Sequence, residues 1–406
     1  MSVAGKKILL GISGGIAAYK TCELVRLFIK NGADVRVIMT PSAAQFVSPV
    51  TLSTLSGNEV AINMFPQGNV SETETIETKT WHIYSGLWAD VYLIAPATAN
   101  TIAKLANGIS DNFLPTTALS VRCPIIISPA MDEDMLNSEI TQINISKLRE
   151  IGYWVIEPES GELASGLKGI GRMPEPETIF KYTDNFLQGN QYDFKDKKVL
   201  ITAGPTYEPI DDVRYIGNYS TGKMGFSLAK AAMQRGAEVT LISGHSMLQT
   251  PRNVNRIDIK TAEEMFNAVK NNLNGIDYFI MSAAVADYKP EKKIKGKIKK
   301  DTGSNLVINT VKTIDILQYA GENKKGFKLA GFALESENEI ENAKDKIKAK
   351  NLDIIVVNNP NVAGAGFGTN TNVITILDKE MNVFKYDKMS KFDAAMKILD
   401  SLVSIK

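Results

Sequence analysis

Near its start the chain reads Lys6-Lys7-Ile8-Leu9-Leu10-Gly11-Ile12-Ser13-Gly14-Gly15-Ile16-Ala17-Ala18. The short apolar run 7–11 reads as a strand. It hands over through small residues to a helical pattern at 16–30, which Asn31-Gly32 stops before a β-branched strand at 34–39. Strand, small-residue turn, helix and strand are the sequence form of a βαβ unit on a parallel sheet. The alternation continues with strands at 91–95, 125–128 and 153–156 and helices at 100–106 and 137–151. A polar stretch, Gly189-Asn190-Gln191-Tyr192-Asp193, marks a boundary, and Lys197-Lys198-Val199-Leu200-Ile201 then restates the opening. The second series predicts strands at 199–203, 238–243, 278–282 and 353–357, and helices at 224–235, 262–272 and 337–350. The restatement lies far too distant for a solenoid repeat. The expectation is an α/β protein of two Rossmann-like domains, 1–188 and 189–406, each a mostly parallel sheet flanked by helices.

A chain of 406 residues suits two cores better than one. Lys and Arg total 46 against 45 Asp and Glu, so no overall field favours nucleic acid or an anionic membrane, and phosphate binding must be local. The two cysteines, Cys22 and Cys123, lie far apart in apolar stretches, which fits a reducing compartment. No apolar run long enough for a membrane span or a signal peptide occurs, so a soluble, cytoplasmic protein is expected.

In the first half, Ser13, Gly14 and Gly15 occupy a strand-to-helix turn where backbone amides can approach an anion. The turn lacks the GxGxxG spacing of a dinucleotide fingerprint and the GK[ST] of a P-loop, which argues against a nicotinamide-dependent dehydrogenase. Strand 91–95 ends in Pro96-Ala97-Thr98-Ala99-Asn100-Thr101 and strand 125–128 in Pro129-Ala130-Met131-Asp132, at the edge where open α/β sheets bind ligands. His82 is one of only two histidines, and histidine can take a proton or hold a carboxylate near neutral pH.

Together with Trp81-His82-Ile83 and the segment Gly161-Glu162-Leu163-Ala164-Ser165-Gly166 to Gly169-Ile170-Gly171-Arg172-Met173, these motifs make residues 6–186 resemble the homo-oligomeric flavin-containing cysteine decarboxylases. Within that group the similarity is greatest to phosphopantothenoylcysteine decarboxylase. The resemblance implies FMN held by Ser13, Gly14, Gly15, Thr40, Thr98 and Asn100, His82 as active-site base or substrate anchor, and trimers with active sites between protomers. The family reaction oxidises the substrate thiol to a thioaldehyde, releases carbon dioxide, and reduces the enethiol with a proton from a flap cysteine. This chain departs from the family twice: Asp132 stands for the usual Asn and Ser165 for the usual Cys. A serine hydroxyl is the poorer acid, and Asp132 beside a substrate carboxylate implies repulsion unless one is protonated. A ligase paired with a flavin-binding regulatory or scaffold half is the alternative these departures leave open.

In the second half, Gly204 follows a strand, and Ser220-Thr221-Gly222-Lys223 opens a helix, a pattern suited to phosphate. Seven lysines fall in residues 289–300 after the strand end at Ala283, Ala284 and Asp287. Such a run is usually a solvated loop; its place also suits a flap over a triphosphate. With Arg214-Tyr215-Ile216-Gly217-Asn218, Gly331-Phe332-Ala333-Leu334-Glu335 and Lys350-Asn351-Leu352-Asp353, residues 197–402 resemble bacterial, CTP-using phosphopantothenate–cysteine ligase. The resemblance implies an acyl-cytidylate made from 4'-phosphopantothenate and CTP and then attacked by cysteine. Arg214 and Asn218 would hold the acyl-cytidylate and Lys297 the triphosphate. Gly204, Ser220, Gly222, Lys223, Ala283, Ala284, Asp287, Asp315, Phe332, Lys346 and Lys350 would line the substrate and nucleotide sites, with Mg2+ carried mainly by the phosphates. Ligase dimers combined with decarboxylase trimers would allow a dodecamer.

Overall fold

The computed structural model describes residues 3–64, 80–189, 192–299, 306–335, 338–359, 361–362, 366 and 368–405. Asn190, Gln191, Lys300 and Glu337, which the sequence reading placed in the boundary, the lysine run and a helix, lie outside them. The chain separates into two compact units, Met1–Gln191 and Tyr192–Lys406.

The first unit is built on β1 (Lys7–Ile12), β2 (Asp34–Met39), β3 (Val60–Ala61), β4 (Val91–Ala97), β5 (Ile125–Pro129) and β6 (Trp154–Val155). All pair in parallel in the order β3-β2-β1-β4-β5-β6. The helices are α1 (Thr21–Lys30), α2 (Pro49–Ser56), α3 (Trp81–Trp88), α4 (Ala99–Asn107), α5 (Phe113–Ser120), α6 (Glu133–Asn137), α7 (Glu139–Glu150) and α8 (Pro176–Leu187), and a hairpin of β7 (Glu159–Glu162) and β8 (Lys168–Arg172) precedes α8. Side chains alternate across the sheet. Ile8, Leu10 and Ile12 pack with residues of α1 and α8, whereas Leu9, Tyr92 and Ile94 pack with those of α4, α5 and α7. With both faces covered, β1 from Ile8 onward and the whole of β4 are continuously apolar, as is usual for buried parallel strands.

The second unit repeats the winding with β9 (Lys198–Ala203), β12 (Glu238–Ser243), β13 (Val254–Asp258), β14 (Tyr278–Met281), β17 (Lys328–Leu334) and β18 (Ile354–Asn358), ordered β13-β12-β9-β14-β17-β18 and continued by antiparallel β19 (Thr371–Asp378) and β20 (Val383–Ser390). Between them lie hairpin strands β10 (Tyr207–Pro209) and β11 (Tyr215–Gly217), and β15 (Tyr288–Pro290) paired with β16 (Thr310–Lys312). Helices α9 (Lys223–Gln234) and α13 (Lys391–Ser404) supply one core face, and α10 (Ala262–Asn272), α11 (Ile316–Glu322) and α12 (Glu339–Ala349) the other. Helix α10 starts with a capping box in which Thr261 and Glu264 satisfy each other's backbone amides.

The structure corrects the sequence reading in two details. The helix expected at 16–30 begins as a 3-10 turn, Ile16–Lys20, before α1. The helix expected at 137–151 is two, because Ser138 adopts φ −54°, ψ 130° between α6 and α7. His82, assigned to no element from sequence, lies on α3, ahead of β4.

Candidate functional sites

In both units the strand order reverses between neighbours, β1 and β4 in the first and β9 and β14 in the second. Open α/β sheets leave a crevice at that switch point, outside the carboxyl ends of the strands.

In the first unit the crevice is a cavity of about 1040 Å³, lined by Gly14, Gly15, Thr40, Ser42, Thr98, Asn100, Asp132, Ser165 and Arg172 among others. Ser13 is buried behind this wall. Its hydroxyl donates to the Pro96 carbonyl at 2.7 Å and accepts from the Thr98 amide at 3.0 Å, so it joins the β1 and β4 turns. Thr98 caps α4 by accepting from the Thr101 amide, and Thr40 and Ser42 share a hydroxyl contact of 3.1 Å. Gly14 is required by packing: an added Cβ would sit 2.3 Å from the Ser42 hydroxyl oxygen. The β7–β8 hairpin delivers Ser165, whose hydroxyl donates to Asp132 Oδ2 at 2.5 Å. The two positions that depart from the family pattern thus meet as a hydrogen-bonded pair at the cavity.

Lys20, Ser42 and Arg172 also line the cavity, and no site role was assigned to them from sequence. Lys20 is buried in the 3-10 turn and donates to the Met173 carbonyl at 2.9 Å and to Glu175 at 3.1 Å; Arg172 also donates to Glu175. Burial would raise the Glu175 carboxyl, but Lys20 and Arg172 together hold it below the ordinary carboxylate range. His82 is not among the lining residues of its own unit's cavity. It is half-buried on α3, beside the exposed apolar side chains of Trp81, Ile83, Tyr84 and Leu87.

In the second unit, Gly204 at the end of β9 and Gly222 at the start of α9 lie back to back. Both have positive φ, and a Cβ on Gly222 would meet the Gly204 amide nitrogen at 3.2 Å. The Gly222 amide donates to Ser220 Oγ at 3.3 Å, and Asn218 Nδ2 donates to the carbonyls of Ala284 and Val285 at 3.1 and 3.3 Å. Lys223 is not free in this turn. Its ammonium donates to the Gly368 carbonyl at 2.5 Å and to Asn370 Oδ1 at 2.8 Å.

Beside this crevice a cavity of about 520 Å³ gathers Ala283, Asp287, Asp315, Phe332 and Lys350. Lys350 lies 2.8 Å from Asp315. Burial would raise the Asp315 carboxyl, and Lys350 with the backbone amides of Gln318 and Leu317 holds it low. Lys346 is paired with Glu335 at 2.5 Å, and neither it nor Arg214 nor Lys297 lines this cavity. Among the described residues no trio of His, Cys, Asp or Glu is placed to hold a metal ion, and no helix is long and apolar enough to cross a membrane.

Each unit thus places a cavity of ligand size at or beside the switch point of its α/β sheet. Residues 2–188 match the Flavoprotein family model and residues 194–405 the DNA/pantothenate metabolism flavoprotein C-terminal domain. The coenzyme A biosynthesis bifunctional protein CoaBC of Bacillus subtilis (strain 168) is 43% identical over 402 residues, covering 98% of this chain and 97% of that protein. A cysteine/cysteine sulfinic acid decarboxylase of an unknown prokaryote is 46% identical over 366 residues, 88% of this chain and 99% of that protein. A crystal structure of the C-terminal domain of a CoaBC protein is 36% identical, covers 51% of this chain and 94% of that one, and superposes with a TM-score of 0.44.

The chain belongs to the family of coenzyme A biosynthesis bifunctional proteins. Its first unit is a flavin-dependent phosphopantothenoylcysteine decarboxylase and its second a phosphopantothenate–cysteine ligase.

Proposed function

We propose that the ligase unit uses CTP and Mg2+ to activate 4'-phosphopantothenate as an acyl-cytidylate, and that the decarboxylase unit holds FMN. The observation that supports this reading is that each cavity is lined by several of the residues the resemblance implies, Gly14, Gly15, Thr40, Thr98 and Asn100 in the first unit and Ala283, Asp287, Asp315, Phe332 and Lys350 in the second. In the second unit, Gly204, Ser220 and Gly222 present a small-residue turn at a helix N-terminus to a phosphate. Asp287, Asp315, Phe332 and Lys350 surround a cavity beside it that suits a nucleotide. Asn218 and Arg214 would hold the acyl-cytidylate and Lys346 a nucleotide group, Lys346 exchanging its Glu335 partner for it. Mg2+ would ride on the phosphates.

In the first unit, Gly14, Gly15, Thr40, Thr98 and Asn100 fit a flavin: two positions without side chains, two hydroxyls and an amide around a cavity of ligand size. FMN, when bound, supplies a two-electron acceptor for the thiol-bearing carbon and returns the electrons after carbon dioxide leaves. Asp132 and Ser165 face the substrate, and the arginine at 172 gives a fixed cation at the rim. His82 would act in a neighbouring copy's cavity, which suits its absence from the lining of its own and the exposed apolar face of α3. Trimers of the first unit, dimers of the second and a dodecamer that combines them follow from that reading.

The test supplies phosphopantothenate, cysteine and CTP and follows products by mass spectrometry. Phosphopantetheine, CMP, pyrophosphate and carbon dioxide are expected. Accumulation of phosphopantothenoylcysteine alone would reduce the protein to its ligase half. His82→Ala should lower carbon dioxide release by on the order of 10²-fold, the contribution of one positioned acid–base group, with ligation unchanged. Equal losses in both reactions would remove His82 from the decarboxylase site.

The Asp132–Ser165 pair carries its own expectation. Ser165 gives its hydrogen to Asp132, and a hydroxyl is a weak acid, so proton delivery in the final reduction should be slow. Ser165→Cys should speed that step by on the order of 10²-fold where proton transfer limits it. Stopped-flow reoxidation of the flavin measures it. An unchanged rate without an oxidised intermediate would show that proton delivery does not pass through residue 165.

A further inference from the structure

The hairpin of β10 and β11 turns at residues 210–214, and the carboxylate of Asp211 is buried at its tip, 2% exposed. Its Oδ1 accepts from the amides of Val213 at 2.7 Å and Arg214 at 2.6 Å. Its Oδ2 accepts from Arg214 Nη1 at 3.0 Å and from the Ile298 amide, 87 residues along the chain, at 3.1 Å. Asp212 does the complementary work. Its Oδ2 accepts from the Gly296 amide at 2.8 Å, its Oδ1 lies 3.1 Å from Lys293 Nζ, and its own amide reaches the Gly296 carbonyl at 3.4 Å. The Ile294 amide adds a bond to the Ile210 carbonyl at 3.0 Å, and the Arg214 guanidinium reaches the Ile298 carbonyl at 3.4 Å.

The consequence for Lys297 is specific. The residue before it and the residue after it each give their amide to one of two adjacent carboxylates, while Lys297 itself stays exposed. Gly296 has φ +82°, a backbone conformation other residues adopt with strain, which lets the chain turn between the two anchors. A lysine run that would otherwise be a solvated loop is therefore fastened to the hairpin tip on both sides of one lysine.

We propose that Asp211, with Asp212, is the positioning element of the ligase site: Asp211 holds the Ile298 amide and the Arg214 guanidinium and Asp212 the Gly296 amide, so that the backbone on either side of Lys297 and the Arg214 cation are in place before a triphosphate arrives. The inference rests on the reading of Lys297 as a triphosphate ligand. Its physical basis is pre-organisation, since a donor already held costs no ordering when charge develops. Burial would raise the Asp211 carboxyl, but three backbone amides and Arg214 hold it below the ordinary range, so the clamp is charged at neutral pH.

The test uses the full-length protein and two readouts, one of them independent of activity. Asp211→Asn keeps the side-chain size but turns one acceptor into a donor, leaving the Ile298 amide or Arg214 without its partner. Limited trypsin digestion without nucleotide should then cleave after Lys295, Lys297 and Lys299 about tenfold faster, because proteolysis tracks local opening. Single-turnover pyrophosphate release with CTP should slow by about tenfold, with the CTP requirement raised more than the limiting rate. Asp212→Asn, at an exposed position, tests the second anchor without disturbing the buried one and should give a smaller rise in cleavage of the same bonds. In a Lys297→Gln background, Asp211→Asn should add little to the activation defect, since the two act through one group. Unchanged cleavage in both Asp variants overturns the positioning role. Faster cleavage with normal pyrophosphate release in Lys297→Gln instead overturns the triphosphate reading and leaves the clamp standing.

Discussion

Lys297→Gln should slow formation of the acyl-cytidylate by on the order of 10²-fold, as removal of one pre-positioned donor does elsewhere, and should leave the later attack by cysteine nearly untouched. The expectation is electrostatic. Charge builds on the phosphates as pyrophosphate departs, and a cation carried on backbone held in advance on both sides meets it with less reorganisation. Lys292→Gln should change the rate by less than about twofold, because exposed lysines are screened by water and salt. Single-turnover kinetics that follow pyrophosphate and ligated product separately decide the matter. Equal slowing by both variants would make the run a diffuse positive surface, and normal pyrophosphate release in Lys297→Gln would remove this lysine from activation.

Gly225→Val should damage the ligase unit while sparing the flavin unit. Gly225 lies in the first turn of α9, and a Cβ there would stand 2.4 Å from Ala203 Cβ and 3.0 Å from both Ala203 Cα and the Thr202 carbonyl oxygen. Two of those neighbours are backbone, so the helix must move off β9. Overpacking of this kind costs about 3 kcal/mol, and for a unit of this size the melting temperature should fall by about 6–12 °C. The same displacement drags Gly222 away from Gly204 and spoils the phosphate turn. The buried clusters of each unit contain residues of that unit alone, so flavin absorbance and carbon dioxide release from supplied phosphopantothenoylcysteine should persist. Calorimetry that shows no shifted transition would mean α9 has room the packing denies it.

Much of the architecture was legible because it depends on local pattern. Strands rich in β-branched and apolar residues, such as 34–39 and 238–243, and amphipathic helices such as 262–272 announce themselves within a few residues. Strand 254–258 and helix 113–120 did not. The first alternates weakly at a sheet edge, and the second carries a proline and two threonines that dilute its helical signal. At the sites, glycines and hydroxyls at strand ends were readable, since their role is tied to position along a strand. Asp211 was not: its meaning comes from an amide 87 residues away, which no local spacing reveals. Lys20 was hidden for the opposite reason, looking like one more polar residue of a helix while its charge is turned inward against Glu175.

The long connection from β18 to β19 shows a different economy. Lys391, 8% exposed at the start of α13, directs its ammonium into the carbonyls of Thr369, Thr371 and Gly366 at 2.7, 3.1 and 3.5 Å and the Thr369 hydroxyl at 3.2 Å. Burial, and then the nearby Lys223 charge, push that ammonium down to about 8. Oxygen cages of this sort elsewhere recruit a dissolved monovalent ion, whose occupancy varies with its concentration. Here the ion is tethered to the chain, so Gly366, Thr369 and Thr371 are gathered around it whatever the salt outside, and mild alkali, at a pH above about 8, would strip the ammonium proton and loosen them.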